Sequence, residues 1–336
     1  MGGKKRQRSD AMKKVITPKV VKRMKLVGLP LGFLMAVFAT LEKEAPIQQN
    51  LDAVEFFAGT KKWSREIRRS GYEVATMELA DAPLEQDILS PRGLLYAFRL
   101  VFSSKPKAVH HWATVCSSWV TINRSTSGRS YHNPLGFWER RPYVGRANVM
   151  VSRTALLILT GVCLGVLFLL EQPITSLMLE HPRLRQLIQL AECGAIRGCK
   201  RISTYMGAFG AVSPKPTMLL GHTPWIDRLK KSVRLSAFKK DASITTSHVD
   251  SQGRRRFTGG QGLKRTQEYP KGYGVECAVC MDEAVVDLDE ESDFDYDLLE
   301  SEGEQYRQSG GEFWTDAELS DVWPLIYKRH GKVKQG

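Results

Sequence analysis

Short apolar runs alternate with amphipathic stretches through the middle of the chain. The apolar runs, which we predict to be β-strands, cover residues 53–57, 73–78, 108–112, 166–170 and 218–220. The stretches between them have the apolar spacing of helices and cover residues 64–70, 92–102, 144–165 and 182–193. This alternation predicts an α/β fold, a Rossmann-like, mostly parallel sheet with helices on both faces.

Two longer apolar runs allow more than one interpretation. Residues 26–41 and 155–170 each hold 16 positions, fewer than the roughly 20 that cross a membrane as a helix. We interpret the second run as a helix that ends near Gly165 and a buried strand that reaches Glu171. The first run is either a buried helix that packs on the domain, which we favour, or the apolar part of a leader. A protein with two membrane spans is the alternative.

Composition divides the chain into three parts. Residues 1–45 are a basic N-terminal segment that contains the first long apolar run, residues 46–280 form the α/β domain, and residues 281–336 form an acidic tail. We predict that the basic N-terminus and the tail are disordered, because they are too polar to form a core, with a short aromatic-bearing helix or binding segment at Phe313 to Tyr327 as the alternative for that part of the tail. The cluster from Lys4 to Arg8 predicts a nuclear protein, whereas a leader would direct the chain to an organelle.

Positive charge is concentrated outside the tail. The chain has 49 Lys and Arg and 36 Asp and Glu, a formal charge of +13, but residues 282–304 contain 12 acidic and no basic residues. Residues 305–336 hold 5 basic and 4 acidic residues, so residues 1–281 carry 44 basic and 20 acidic ones, about +24. This favours a nucleic-acid partner, with a basic solvated surface as the alternative. We expect the acidic tail either to bind a basic protein or to compete with nucleic acid for the basic surface of residues 1–281.

Chemically useful residues follow the predicted strands. They are Phe57, Ala58, Gly59, Thr60, Glu78, Asp87, Cys116 and Glu171. Because ligands of α/β folds bind at the carboxyl ends of the strands, these residues are the candidate site. A turn at Gly59 would admit a cofactor close to the backbone, and a carboxylate such as Glu78 accepts hydrogen bonds from two ribose hydroxyls. Cys116 is a candidate nucleophile, and Glu171 a candidate to hold or deliver a proton.

The order of these residues resembles that of the DNA cytosine-5 methyltransferases. The stretch VEFFAGTKKWSREIRRSGYEV (residues 54–74) is similar to the family's first motif, and QDI (86–88) to its adenine-contacting motif. VCSSW (115–119) lies where the family has its catalytic cysteine, and LEQP (170–173) where it has its catalytic glutamate. MGAFGAVSPKPTMLLG (206–221) and KRTQEYP (264–270) resemble two later elements, so the resemblance covers about residues 52 to 275.

The resemblance implies a methyltransferase-like fold, a cofactor and a reaction. The cofactor would be S-adenosyl-L-methionine, held by Phe57, Ala58, Gly59, Thr60, Glu78 and Asp87. The reaction would be methylation of cytosine in nucleic acid, with DNA favoured over RNA, through the Cys116 nucleophile and its acid partner Glu171. Arg124 and Arg129, on the loop after the cysteine, and Lys215 would bind the substrate.

Several positions depart from the family pattern. They are Val115 before the cysteine, Gln172 and Pro173 after the glutamate, and Lys61 and Lys62 in the turn. Only residues 221–260 remain to recognise a target, and their basic clusters suit phosphate contact better than base readout. Whether the chain is an enzyme therefore stays open, with a catalytically inactive nucleic-acid-binding relative of the same fold as the alternative.

The cysteine spacing does not predict a metal site. The chain has six cysteines without the regular spacing of a disulfide framework. Cys277 and Cys280 form a C-x-x-C pair, but five residues separate Cys193 from Cys199, which is outside the usual spacing of zinc ligands. We therefore predict no bound metal.

Overall fold

A computed structural model describes residues 14–193, 196–238, 245–253, 255–259, 268–284, 314 and 316–330. Its centre is a six-stranded sheet. The strands are β1 (Leu51–Phe56), β2 (Val74–Met77), β3 (Ser104–Trp112), β4 (Leu167–Pro173), β5 (Lys200–Tyr205) and β6 (Pro216–Gly221). Their order across the sheet is β2-β1-β3-β4-β6-β5, and a separate hairpin pairs β7 (Thr245–Val249) with β8 (Arg255–Gly259).

Nine α-helices surround the sheet in the described part of the chain. They are α1 (Pro18–Leu26), α2 (Leu31–Glu44), α3 (Lys62–Arg69), α4 (Pro91–Phe102), α5 (Arg124–Ser127), α6 (Pro142–Cys163), α7 (Pro182–Glu192), α8 (Lys271–Ala284) and α9 (Trp323–His330). Short 3₁₀ segments occur between them, including Met206–Phe209 before β6 and Asp316–Leu319 before α9.

Strand directions confirm a mixed α/β fold with a mostly parallel sheet. β1 pairs in parallel with β2 on one side and with β3 on the other, and β3 pairs in parallel with β4. β6 runs antiparallel to both β4 and β5. The chain thus moves from β1 to β2 and then crosses to β3 on the opposite side of β1, which creates a topological switch point between β1 and β3.

Both faces of the sheet are buried. In β4, Leu167 and Leu169 belong to one core cluster, whereas Phe168 and Leu170 belong to the other. The first cluster includes side chains of α3 and α8, and the second includes side chains of α1, α2, α4, α6 and α7. Strands that are covered on both faces read as continuous apolar runs, which explains why these strands were visible in the sequence.

Besides the hairpin of β7 and β8 and the short helix α5, the sequence prediction missed one strand of the central sheet, β5, and one long helix of the main domain, α8. β5 is an edge strand with the sequence KRISTY, in which Ile202 and Thr204 are buried and their neighbours are more exposed. α8 contains Gly272 and Gly274, which disfavour a helix, yet it buries Tyr273, Cys277 and Cys280 against the sheet and α3. Tertiary packing outweighs the local propensity there.

The two long apolar runs are each divided by a glycine turn. Gly28, with φ of 71°, separates α1 from α2, and Gly165, with φ of 82°, separates α6 from β4. The N-terminal run packs in the core through residues such as Phe33 and Phe38, as the favoured interpretation predicts. Within the residues that the structure describes, no helix has the length and apolar character needed to span a membrane.

The C-terminal part of the predicted tail packs on the N-terminal helices. Trp323 of α9 contacts Phe33 of α2, with ring centroids 5.5 Å apart. Leu319, Val322 and Ile326 are buried in the same core cluster. The predicted disorder is therefore wrong for α1 in the basic N-terminal segment and for residues 316–330 of the tail. Residues 1–13, 285–313, 315 and 331–336, for which disorder was also predicted, lie outside the described residues.

Candidate active site at the carboxyl edge of the sheet

The candidate residues follow strands whose carboxyl ends are in register with one another. Met77, Phe56, Trp112 and Leu170 are in register across β2, β1, β3 and β4. The residues that follow these strand positions, including Glu78 and Glu171, therefore lie at the same edge. With about 4.8 Å between strands, the two glutamates are roughly 14 Å apart along the edge. The candidate residues are thus spread along the edge and are not gathered at one point.

The turn after β1 has an unusual backbone. Phe57, Gly59 and Lys61 have positive φ angles of 60°, 49° and 57°. The amide of Lys61 donates to the carbonyl of Ala58 at 2.7 Å, which closes the turn before α3 begins at Lys62. No atom lies within 4 Å of the position that a Cβ on Gly59 would occupy. A ligand can therefore approach the backbone there, and the strained non-glycine residues are of the kind that cluster at functional sites.

Glu78 joins the end of β2 to this turn. Its Oε2 accepts a hydrogen bond from the amide of Gly59 at 2.7 Å, and its Oε1 accepts one from the amide of Ala80 at 3.2 Å. The amide of Glu78 in turn donates to Oε1 of Gln86 at 2.8 Å. Since a carboxylate oxygen can accept two hydrogen bonds, both oxygens keep one acceptor position for a ligand.

The two lysines of the turn are paired with acidic residues. Nζ of Lys61 lies 2.6 Å from the carboxylate of Asp81, and Nζ of Lys62 lies 2.7 Å from that of Glu268. Their side chains are directed to these acids, and the position above Gly59 stays open.

Asp87 is fixed at the start of α4. Its side chain accepts from the amide of Leu89 at 2.9 Å, and its carbonyl accepts from the amide and the hydroxyl of Ser90, at 2.8 and 2.9 Å. Ser90 is also the N-cap of α4 and accepts from the amide of Gly93. A Cβ on Gly93 would lie 1.9 Å from the carbonyl oxygen of Asp87, so this close approach requires glycine.

A buried carboxyl group lies beneath the turn and was not predicted from the sequence. Glu55 in β1 is fully buried, and its Oε2 accepts from the amide of Ser64 at 3.0 Å. Burial raises the pKa of Glu55 to about 7. An acidic residue inside an otherwise apolar strand was the available signal, because burying a carboxyl group costs free energy unless hydrogen bonds or an ion pair compensate.

Cys116 lies in the turn that follows β3. Its carbonyl accepts from the amides of Trp119 and Val120, at 2.8 and 3.2 Å, and its side chain is half-buried. Burial and the nearby charge of Glu171 raise the pKa of the Cys116 thiol to about 11, while the charge of Lys215 opposes them. The resting thiol is therefore protonated near neutral pH.

Glu171 is buried at the end of β4 and has two polar neighbours. The hydroxyl of Tyr269 donates to its Oε2 at 2.9 Å, and Nζ of Lys215 lies 3.5 Å from its Oε1. Lys215 is adjacent because β6 runs antiparallel to β4 and so begins at the edge where β4 ends. Tyr269 belongs to the stretch 264–270, which was singled out only by its resemblance to a motif of the methyltransferases. Residues 264–267 of this stretch lie outside the residues that the structure describes.

Gln172 connects the segments that carry the cysteine and the glutamate. Its Nε2 donates to the carbonyl of Thr114 at 2.7 Å, and its Oε1 accepts from the hydroxyl of Ser176 at 3.0 Å. Thr114 is two positions before Cys116. The residue that departs from the family pattern after the glutamate thus ties the two candidate catalytic segments together.

The two arginines of the post-cysteine loop have different environments. Arg129 is 2% exposed, and its five N–H groups all donate to protein oxygens. The acceptors are the carbonyls of Ser118, Pro134 and Val144, the hydroxyl of Ser118 and the side chain of Asn148. Arg129 is thus placed to hold the loop, contrary to the expected substrate contact. Arg124 is half-buried, with its guanidinium 5.7 Å from the ring centre of Tyr131.

His111 is a second buried ionisable group near the site, and its ring centre lies 5.0 Å from that of Tyr269, which donates to Glu171. His111 of β3 stacks on Trp63 at 4.9 Å, and its Nε2 lies 3.2 Å from the hydroxyl of Tyr273. Burial, aided by the charge of Lys215, lowers the pKa of His111 to about 3, so its imidazole is neutral at physiological pH. The ring therefore adds no charge to the site.

Across the described ranges, no group of three or more His, Cys, Asp and Glu side chains is arranged to hold a metal ion. Cys277 and Cys280 are both buried in α8, where Cys277 belongs to the packed interface with α3. Neither a search of protein-family models nor a search of curated proteins finds a match to this chain.

Proposed function

We propose that the chain is an S-adenosyl-L-methionine-dependent methyltransferase that acts on cytosine in nucleic acid. The observation that carries this proposal is the meeting of Cys116, Glu171 and Lys215 at the carboxyl ends of β3 and β4, beside the Glu78 turn. The topological switch point between β1 and β3 separates the two halves of this edge.

The residues present suit the proposed cofactor. In this proposal the free acceptor positions of Glu78 would accept hydrogen bonds from the ribose hydroxyls, and Asp87 would accept one from the adenine amino group. The methionine part of the cofactor would lie against the open backbone at Gly59. When bound, S-adenosyl-L-methionine would supply an electrophilic methyl group. The pairs formed by Lys61 and Lys62 with acidic residues support the proposal, because they leave the turn accessible.

The base would react beside β3 and β4. The sulfur of Cys116 would form a bond to carbon 6 of cytosine while its thiol proton passes to the carboxylate of Glu171 and from there to ring nitrogen 3, which makes carbon 5 nucleophilic. Carbon 5 would accept the methyl group and then lose its proton to water. The bond between sulfur and carbon 6 would break with its electron pair on sulfur, and the proton on ring nitrogen 3 would return to Glu171. Tyr269 and Lys215 would keep the carboxyl group of Glu171 in position.

A non-catalytic relative is the second candidate, and one observation favours it. The pKa of Cys116 is raised to about 11, whereas a cysteine nucleophile works as the thiolate. An enzyme would have to remove the thiol proton as the base docks. A protein that only binds nucleic acid through its basic surface would need no such step.

Covalent trapping distinguishes the two candidates. The purified full chain is incubated with S-adenosyl-L-methionine and an oligonucleotide that contains 5-fluorocytosine, whose carbon 5 cannot lose a proton. We expect an adduct that survives denaturing electrophoresis, because the bond between Cys116 and carbon 6 cannot break. Cofactor binding is measured separately by calorimetric titration.

Two variants identify the responsible groups. Cys116→Ser should abolish the adduct and leave cofactor affinity within about twofold, since the thiol lies on the other side of the switch point. Glu78→Ala should weaken cofactor binding by about tenfold or more, as expected when hydrogen bonds to a ligand are lost. Cofactor binding without any adduct would favour the non-catalytic relative, and absence of cofactor binding by the wild type would reject the methyltransferase proposal.

A further inference from the structure

The exposed aromatic side chains of the described chain are concentrated in one segment. Tyr131, Phe137, Trp138 and Tyr143 are 65%, 48%, 52% and 39% exposed. Every other Phe, Tyr or Trp whose burial the structure describes is buried or half-buried. Water-exposed aromatic clusters are unusual in a protein surface and mark binding sites.

Positive charge accompanies this aromatic platform, which we define as Tyr131, Phe137, Trp138 and Tyr143. Residues 121–149 contain five arginines, and Glu139 is their sole acidic residue. Arg140, Arg141 and Arg146 are exposed. The net charge of this surface is therefore positive, which is complementary to a polyanion.

The platform is held in shape by the loop beneath it. The amide of Phe137 donates to the carbonyl of Ser127 at 2.8 Å, and the amide of Ser130 donates to the carbonyl of Asn133 at 3.0 Å. A Cβ on Gly128, whose φ is 69°, would lie 2.4 Å from the ring of Phe137. The ring therefore rests directly on the glycine. An ordered loop presents Tyr131, Phe137 and Trp138, and the first turn of α6 presents Tyr143.

The same loop is attached to the segment that carries Cys116. Arg129 donates to the carbonyl and the hydroxyl of Ser118, both at 3.1 Å, and its guanidinium lies 3.3 Å from the ring centre of Trp119. The amide of Trp119 donates to the carbonyl of Cys116. The platform and the candidate nucleophile are thus parts of one hydrogen-bonded unit.

We propose that the aromatic platform stacks unpaired bases of a single-stranded polynucleotide next to the base that reaches Cys116. Flat side chains interleaved with arginines are the combination that binds single strands, since every base has a face that can stack and every nucleotide has a phosphate. This inference rests on the proposed action on nucleic acid and names its substrate class, a single strand in preference to an intact duplex.

Binding of fluorescent oligonucleotides to the full chain tests the platform. The probes are a single-stranded DNA of about 12 nucleotides, the RNA of the same sequence, and the corresponding DNA duplex. Trp138→Ala should weaken binding of the single strands about tenfold or more, the effect of losing one stacked base. Trp138→Phe should keep affinity within about threefold, because a phenyl ring still stacks.

Two further variants separate stacking from charge and from general damage. The double variant Arg140→Ala and Arg141→Ala should lower the dependence of binding on salt concentration, because fewer counterions are released. Val212→Ala truncates an exposed apolar side chain outside the platform and should bind like the wild type. Quenching of tryptophan fluorescence by single strands should be smaller in Trp138→Phe than in the wild type if Trp138 stacks on a base.

The outcomes separate this inference from the proposed function. A wild type that binds no oligonucleotide rejects both. If Trp138→Ala leaves the single-strand affinity at the wild-type value, the platform alone is rejected. Stronger binding to the duplex than to the single strand also overturns it. A difference between the DNA and RNA probes would identify which polymer is the single-stranded ligand.

Discussion

Three ionisable groups at the carboxyl edge of the sheet owe their protonation states mainly to burial. Burial raises the pKa of Glu55 to about 7 and that of Cys116 to about 11, and it lowers that of His111 to about 3. At neutral pH the cysteine is therefore a thiol and the histidine is uncharged. Glu55 is the group of the three that titrates in the physiological range.

Glu55→Gln should remove a pH dependence of stability. The folded pKa of about 7 lies above the ordinary 4.5, so the folded state binds more protons than the unfolded chain between these values. The wild type should therefore lose stability as the pH rises from about 4.5 to about 7, by a total on the order of 3 kcal/mol. The variant cannot ionise there, so its free energy of unfolding should show none of this loss.

Urea unfolding at a series of pH values measures this effect. The relevant quantity is the slope of the free energy of unfolding against pH, because the amide of glutamine also changes the absolute free energy of unfolding through its buried hydrogen bonds. Glu73→Gln alters an exposed carboxyl and should keep the wild-type slope. Parallel curves for the wild type and Glu55→Gln would show that Glu55 ionises normally in the folded protein.

At the scale of elements, the start of α4 positions the predicted adenine contact. Ser90 caps the helix, Pro91 occupies its first position, and the carbonyl of Asp87 lies against Gly93. Arg153 of α6 donates to the carbonyls of Ile88 and Leu89 at 2.9 and 2.8 Å. The position of Asp87 is thus set by two helices.

Gly93→Ala should displace the segment that bears Asp87. The added methyl would overlap the carbonyl of Asp87, so we expect a loss of about 1–3 kcal/mol in stability, typical of overpacking. Cofactor affinity should fall as well if Asp87 contacts adenine. Urea unfolding and calorimetric titration measure the two effects.

Gly32→Ala is a matched control on α2. No atom lies within 4 Å of its added Cβ, so this variant should be unchanged or more stable by up to about 1 kcal/mol, with normal cofactor binding. Equal behaviour of the two alanine variants would contradict the proposed role of the close contact at Gly93.

At the scale of the whole molecule, the C-terminal segment is joined to the body by two ion pairs. Arg153 donates to both carboxylate oxygens of Asp321, at 2.8 and 2.6 Å, and Arg183 of α7 pairs with Glu318. The Arg183 guanidinium also lies 4.6 Å from the ring centre of Trp314. A cavity of about 460 Å³ lies between this segment, α6 and α7. Arg153 thereby links Asp321 to the segment after Asp87.

Asp321→Asn should loosen the C-terminal segment. The guanidinium of Arg153 is nearly buried, whereas Asp321 is partly exposed, so we expect a loss of about 1–2 kcal/mol in stability. Proteolysis between residues 314 and 330 should also become faster, because segments of low local stability open most often. Glu192→Gln, at an exposed position, is the control and should match the wild type in both measurements.

The sequence was sufficient for most of the sheet and helices. Strands buried on both faces appear as apolar runs, helices show their own period, and the glycine at 165 marks the junction of α6 and β4. The prediction missed β5 because this edge strand buries only alternate residues and shows no apolar run. It missed α8 because the two glycines of α8 disfavour a helix in the local sequence. The chemical order of the candidate residues was also visible, since strand ends follow directly from strands.

By itself, then, the sequence determined the α/β alternation, the charge asymmetry and the residues at the strand ends. Only the tertiary structure decided which side chains meet there. Tyr269 reaches Glu171 across 98 positions, and Gln172 reaches Thr114 across 58. Arg129 looked available for substrate, but the fold surrounds it with five acceptors. Local patterns report period and burial, whereas these contacts depend on strand order and direction, which join residues distant in the chain.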